Sequence, residues 1–295
     1  MNFRPVILED KNWINQYLKE AGYRGCEFSF STIMMWKDTY HTEVADYKGT
    51  FCYRCQTGRN QFVYAFPAGN GDKKAAIEAL MELAKKEGHK FILRGFEEHW
   101  VAWMEEQFPN VFQYHTSQAE WDYVYSVESL GSLAGSKYHA KRNHIARFKD
   151  NEGWRYEPLS KENVIACKHM SDDWYHAQLN LGNVTVYKEK PGLNYMLDHF
   201  EELDLKGGVL YIGEQVVAFT IGEAMNDDTF HVHIEKALSD VQGAYPMINQ
   251  QFVLHEMQGF TYINREEDDG VEGLRKAKES YRPVEMIKKY SATLI

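Results

Sequence analysis

Residues 264–282 read NREEDDGVEGLRKAKESYR, six acids and five bases in nineteen positions. The acids bunch first, at Glu266, Glu267, Asp268 and Asp269; the bases Arg275, Lys276, Lys278 and Arg282 follow. The cluster comes directly after an apolar run, residues 259–263, that reads as a buried strand. Strand ends in open α/β sheets are where sites gather. Such a set suits acyl transfer from an ester, which needs cations or N–H groups facing a developing oxyanion and help for an incoming amine or hydroxyl. Lys278 is the first candidate for the oxyanion or phosphate role and Arg275 the second. Asp268 and Asp269 could read an ammonium group or simply cap the helix that follows. Asn264, Tyr281 and Arg282 border the stretch and are expected substrate contacts. Glu235 ends a strand over residues 231–235 and is a candidate general base or amine-binding carboxylate, with a salt bridge as the plainer alternative. His231, His233 and Glu235 alternate onto one strand face. A metal held by them would need a further ligand that no spacing specifies, so no metal is expected.

Residues 136–149, SKYHAKRNHIARFK, hold five Lys/Arg, two histidines and no acid within a chain of net charge −10. Helical spacing brings Lys137, Lys141 and His144 together, and likewise Tyr138, Arg142 and Ile145. Lys137, Lys141, Arg142, His144 and Arg147 are expected to contact phosphates, with Tyr138 or a histidine stacking on a base. The competing reading is a solvated basic helix paired with nearby acids. Five phosphate contacts would give a log–log salt slope of about −4.

The elements that must carry these residues fall into two similar runs. The first places helices over residues 10–22 and 72–88, an antiparallel meander over 39–66, a strand at 91–93, a helix at 97–107 and a strand at 121–127. The second places a strand at 154–157, helices near 160–180 and 192–203, and a meander with turns at Gly213-Glu214 and residues 226–228. A helix over 245–257, the strand before the charged stretch, a short charged helix and a final strand near 284–290 complete it. Two halves are expected, 1–130 and 152–295, joined by a basic helix over 131–151.

The pattern strand–INREEDDG–LRKAKESYRP–strand, together with residues 137–148, resembles a bacterial family related to the C-terminal domain of lysylphosphatidylglycerol synthase. More remotely it is similar to the Fem-type peptidyltransferases. The resemblance spans roughly residues 26–290 and is weak in the first quarter. It implies an α+β fold of two tandem acyltransferase (GNAT-like) domains, each a mixed, mostly antiparallel central sheet flanked by helices. It further implies aminoacyl-tRNA as co-substrate and a second domain that holds the active site. Lys278 falls on the functional lysine of the Fem-type Phe-Lys-x-x-Phe motif. Acetyltransferases that use coenzyme A carry [Gln/Arg]-x-x-Gly-x-[Gly/Ala] after the central strand, leaving free backbone N–H groups for a pyrophosphate. Here residues 235–246, EKALSDVQGAYP, keep one glycine and put Tyr245 where a small residue belongs, so coenzyme A is the less favoured donor.

Composition excludes other classes. With 44% hydrophobic and 14% aromatic residues the chain has material for real cores. No membrane-spanning segment is present, no signal peptide is read at the N-terminus, and a cytoplasmic location is expected. Cys52-x-x-Cys55 lies on a strand, where positions three apart face opposite sides, and no second Cys/His pair follows. Walker, dinucleotide and Gly-x-Ser-x-Gly patterns are missing. The expectation is an aminoacyl-tRNA-dependent transferase acting on an unknown small-molecule, peptide or lipid-headgroup acceptor through an amine or hydroxyl. The alternatives are an acyl-CoA-dependent N-acyltransferase and a non-catalytic binding protein on the same fold.

Overall fold

Helix-end residues translate directly into structure. A computed structural model describes the backbone of residues 1–295 and every side chain except that of Thr185. Helix α1 (Lys11–Ala21) ends at Gly22 with φ 64°, and helix α3 (Lys73–Glu87) is capped by the Asp72 carboxylate on Ala75 N–H and ends at Gly88 with φ 75°. Left-handed residues at helix C-termini cost least when they are glycine.

The chain divides into two compact units. The first comprises Met1–Asp122, Glu267–Arg275 and Met286–Ile295. Besides α1 and α3 it contains β1 (Arg4–Pro5), α2 (Phe30–Trp36), β2 (Glu43–Tyr47), β3 (Thr50–Gly58), β4 (Gln61–Ala65), β5 (Ile92–Glu97), α4 (Glu98–Gln107), β6 (Phe112–Thr116) and β14 (Lys289–Leu294). Its sheet runs β1-β2-β3-β4-β5-β14-β6. Strand β14 is antiparallel to both β5 and β6, so residues near the end of the chain complete this sheet from within. At its start the buried Lys289 ammonium meets Asp122 at 2.7 Å, Glu27 at 2.9 Å, Glu267 at 3.1 Å and the Cys26 sulfur at 3.3 Å. A charge buried this deeply is tolerated because carboxylates surround it.

The second unit comprises Tyr123–Glu266 and Lys276–Glu285. Its elements are β7 (Asp122–Ser126), α5 (Val127–Ser132), α6 (His139–Lys149), β8 (Trp154–Pro158), α7 (Val164–Asn180), α8 (Lys190–Asp198), β9 (Lys206–Ile212), β10 (Gln215–Ala224), β11 (Thr229–Ala237), α9 (Ala244–Glu256) and β12 (Tyr262–Asn264); the residues of α10 (Glu272–Glu279) and β13 (Glu285–Ile287) are divided between the two units. The second sheet runs β13-β7-β12-β11-β10-β9-β8. Helices α9 and α7 pack on its central strands, with Phe230 of β11 against Phe252 of α9.

Both units mix antiparallel sheets with helices, the expected α+β class. Their boundaries interleave, whereas the expected halves were sequential. The strand expected to close the first half, now β7, pairs instead with β12 (Tyr125 opposite Ile263). The expected final strand is two strands, β13 and β14, assigned to different sheets.

Candidate active site

Strands β11 and β12 run parallel, but they pair only where Thr229, Phe230 and His231 face Tyr262, Ile263 and Asn264. Strand β12 then stops while β11 continues to Ala237. Among the described residues no strand pairs with that further edge of β11, and the gap is filled by side chains.

Glu235 is at its centre. One carboxylate oxygen accepts from Arg265 Nη2 at 2.9 Å and the other from Asn249 Nδ2 of α9 at 3.1 Å. The Glu235 and Arg265 side chains are only 13% and 11% exposed, so the pair is desolvated, and each charge depends on the other. Two aromatic rings flank the guanidinium, with Tyr281 at 5.0 Å and Tyr125 at 5.5 Å from its carbon. Two polar atoms remain unused: buried Arg265 Nη1 has no acceptor and buried Asn249 Oδ1 has no donor among the described residues. Buried polar groups are nearly always satisfied, so this donor and acceptor, both on groups that hold Glu235, mark a place for a polar ligand.

Helix α6 brings Lys141 to the same group. Its ammonium lies 3.7 Å from the centre of the Tyr281 ring, a cation–π contact. Burial, and then the Arg265 charge, push its pKa down to about 8, with Glu235 opposing. Beyond Lys141 opens a cleft of about 290 Å³, lined by Lys141, His144, Ser239, Gly243, Tyr245 and Pro246 among others. The turn whose coenzyme A pattern was degraded thus faces the basic helix across this cleft, at the N-terminus of α9. Gly243 permits the approach. Its φ is 83°, and a Cβ there would stand 2.1 Å from the His144 carbonyl oxygen. A larger open groove, about 720 Å³, borders α1 and β2 in the first unit, but its charged and hydroxyl groups already have partners, Arg4 with Asp10, Tyr17 with Asp46 and Glu20 with Gln16.

The other sequence candidates separate. Lys278 reaches the group through backbone atoms: its ammonium donates to Arg265 O at 2.5 Å and Glu266 O at 3.1 Å, and its own carbonyl accepts from the Tyr125 hydroxyl at 2.9 Å. Tyr281 is buried, and its carbonyl accepts from the Tyr138 hydroxyl at 3.1 Å. Tyr138 is itself only 1% exposed, which corrects the expectation that it stacks on a base. Arg142 clamps the preceding loop, donating to Leu133 O and Gly135 O at 2.6 Å each. Lys137, His144 and Arg147 are exposed. In the first unit, Arg275 binds the fully buried Asp268 through both carboxylate oxygens at 2.8 Å, and Asp268 also accepts from Gly270 N–H. Asp269 is exposed with φ 51°, and its N–H donates to Ala119 O. Asn264 is buried beside His231, its side chain accepting from Glu266 N–H. Arg282 is exposed. Arg265, Asn249 and Tyr125 were not singled out from sequence. Arg265 carried a usable signal, an arginine immediately after a strand, hidden among ten other charges. Asn249 and Tyr125 carried none.

The family model described as "Phosphatidylglycerol lysyltransferase, C-terminal" matches residues 19–293. The chain belongs to that family. A crystal structure of a conserved protein of unknown function from Bacteroides thetaiotaomicron is similar at 37% identity, with 100% of each chain covered and a TM-score of 0.94. L-PGS from Bacillus licheniformis shares the fold at 16% identity and a TM-score of 0.67, over 96% of this chain and 91% of that one. The FemX crystal structure is similar at 8% identity and a TM-score of 0.55, over 100% and 98%. A comparison with curated proteins returned no match. Members of the phosphatidylglycerol lysyltransferase C-terminal family share this tandem GNAT-like scaffold, and the chain is an acyltransferase of that general type.

Proposed function

We propose that this protein takes an aminoacyl group from aminoacyl-tRNA and passes it to an amine or hydroxyl of a small-molecule, peptide or lipid-headgroup acceptor. The second unit is the active one, and the reaction takes place in the cytoplasm, where charged tRNA is available. The observation that carries this reading is Arg265 Nη1, a buried cationic N–H without an acceptor, on a guanidinium fixed by Glu235 and placed beside a basic helix. Lys141 and His144 hold phosphates of the acceptor stem at the cleft. The donor ester carbonyl enters the gap and Arg265 Nη1 donates to its oxygen as negative charge develops. The acceptor nitrogen or oxygen bonds to the carbonyl carbon, its proton moves to the Glu235 carboxylate and from there to the ribose oxygen of the terminal adenosine, which leaves as a hydroxyl as the ester C–O bond breaks. Lys278 is a positioning residue that fixes the backbone at Arg265 and Glu266. Asn249 Oδ1 accepts from the ammonium of the aminoacyl group. Among the described residues no helix is long and apolar enough to cross a membrane.

The test is incubation with a pool of charged tRNA, following loss of each aminoacyl ester with and without an acceptor mixture. One or a few amino acids should disappear faster with wild-type protein than with Arg265→Met. Unchanged esters, together with tight coenzyme A binding by calorimetry, would replace this reading with an acyl-CoA-dependent one.

A further inference from the structure

His231 and His233 share a strand face with Glu235, and sequence spacing named no further ligand for them. The sheet brings two carboxylates to them. Glu223 of β10 is directly opposite His231 in the antiparallel register, and an irregularity at Ile221/Gly222 shifts the pairing just beyond it. On the other side Asn264 is opposite His231, and the chain turns at Glu266, with φ 58°, two residues later. Four side chains from three neighbouring segments of the second unit therefore converge. His231 Nε2 lies 2.8 Å from Glu266 Oε1, His233 Nδ1 lies 3.4 Å from the same oxygen, and His233 Nε2 lies 2.9 Å from Glu223 Oε1. Donor atoms of Glu223, His231 and His233 all fall within 4.8 Å of one another.

We infer that Glu223, His231 and His233 bind one divalent transition-metal cation of the zinc class. Two imidazoles with one carboxylate form a donor set that borderline cations favour over calcium or magnesium. Both histidine side chains are 0% exposed, and the carboxylates are 15% and 29% exposed, so the cluster is closed enough to hold an ion yet reachable along its carboxylate side. Nδ1 of buried His231 has no partner among the described residues, which leaves a ring nitrogen for a ligand. Cys26, Asp122 and Glu267 in the first unit also converge, but there the Lys289 ammonium already stands among them as the cation. Glu266 meets His231 Nε2 at 2.8 Å, so an ion that fixes the histidine rings also steadies the backbone that carries Arg265. The inference does not depend on which acyl donor is used.

The experiment is to strip purified protein with a chelator, add Zn²⁺ or Co²⁺, remove excess by gel filtration and count metal per chain by mass spectrometry, with titration calorimetry for affinity. Wild type should hold one equivalent, and Co²⁺ should give visible bands of a low-symmetry site. His231→Ala and Glu223→Gln should each weaken binding by about tenfold or more, whereas exposed His169→Ala should bind as wild type. Glu223→Gln keeps the side-chain shape and an acceptor for His233, and its metal-free melting temperature checks that it folds. Added Zn²⁺ should raise the melting temperature of wild type and raise that of Glu223→Gln less. Less than about one tenth of an equivalent on wild type, or equal affinity in wild type and Glu223→Gln, would overturn the site.

Discussion

Lys141 is the cation whose charge can be switched without touching the sequence. With its pKa pushed down to about 8 by burial and by Arg265, the ratio of charged to neutral lysine is about 10:1 at pH 7 and about 1:10 at pH 9. If the ammonium contacts a phosphate, the bound form holds its proton to higher pH, and linkage then weakens tRNA binding by up to about tenfold between pH 7 and 9. A charge-assisted contact of roughly 1.5–3 kcal/mol is large enough to sustain that difference. The assay is anisotropy of labelled tRNA at constant ionic strength, since the phosphate contribution is itself salt-dependent. In the metal-free protein His233 also titrates in this window, because the hydrogen bonds it donates to Glu223 and Glu266 outweigh burial and hold it up to about 9. The variant Lys141→Arg separates the two: it stays charged, so its affinity should be flat from pH 7 to 9. Lys141→Ala should bind about tenfold more weakly at pH 7 and also be flat. The reasoning is refuted if wild-type affinity does not change over this range, or if Lys141→Ala follows the wild-type curve.

Stability has its own dependence on Lys141. The native lysine deprotonates at about 8 and the unfolded one at 10.5, so between these values the unfolded chain binds more protons and stability rises with pH. Lys141→Met should flatten that rise in denaturant titrations at pH 7.5 and 9.5. Breaking the buried Glu235–Arg265 pair with Glu235→Ala should cost about 3–5 kcal/mol, and the double change Glu235→Leu/Arg265→Met should recover a large part of it. Gly243→Ala meets the His144 carbonyl and needs a left-handed backbone, so it should lose at least about 1–3 kcal/mol in chemical denaturation. Lys278→Met removes the donor to Arg265 O and Glu266 O and should cost about 1–3 kcal/mol; if acyl transfer falls while stability does not, Lys278 acts on substrate and not on the backbone.

Local signals were the legible part of this molecule. Gly22, Gly88 and Asp72 marked helix ends because capping depends on a few adjacent residues, and the turn at Gly213-Glu214 follows from the same local chemistry. The lack of acids in 137–149 was visible as composition, and Lys141 does stand beside Glu235 and the cleft. Tyr138 could not be read, because whether a tyrosine on a basic helix faces a ligand or a core depends on what packs against it. The charged stretch was read as one feature, yet Asp268 and Arg275 bind each other in the first unit while Arg265 and Lys278 serve the second. Charge density tells nothing about pairing. Strand assignment was the other obscure part: nothing local in residues 284–294 says that Glu285–Ile287 and Lys289–Leu294 join different sheets.

Strand β14 has a consequence for how the polypeptide is made. The first sheet has β5 and β6 on the ribosome early, but the strand that belongs between them is translated only after the long stretch from α5 to β13. At ordinary synthesis rates the two edges wait roughly 10–40 s with their amide and carbonyl rows unmatched. Such open edges invite pairing with other nascent chains, which makes the emerging N-terminal segment a natural client for chaperones until Lys289 arrives to neutralise the acids gathered around Cys26.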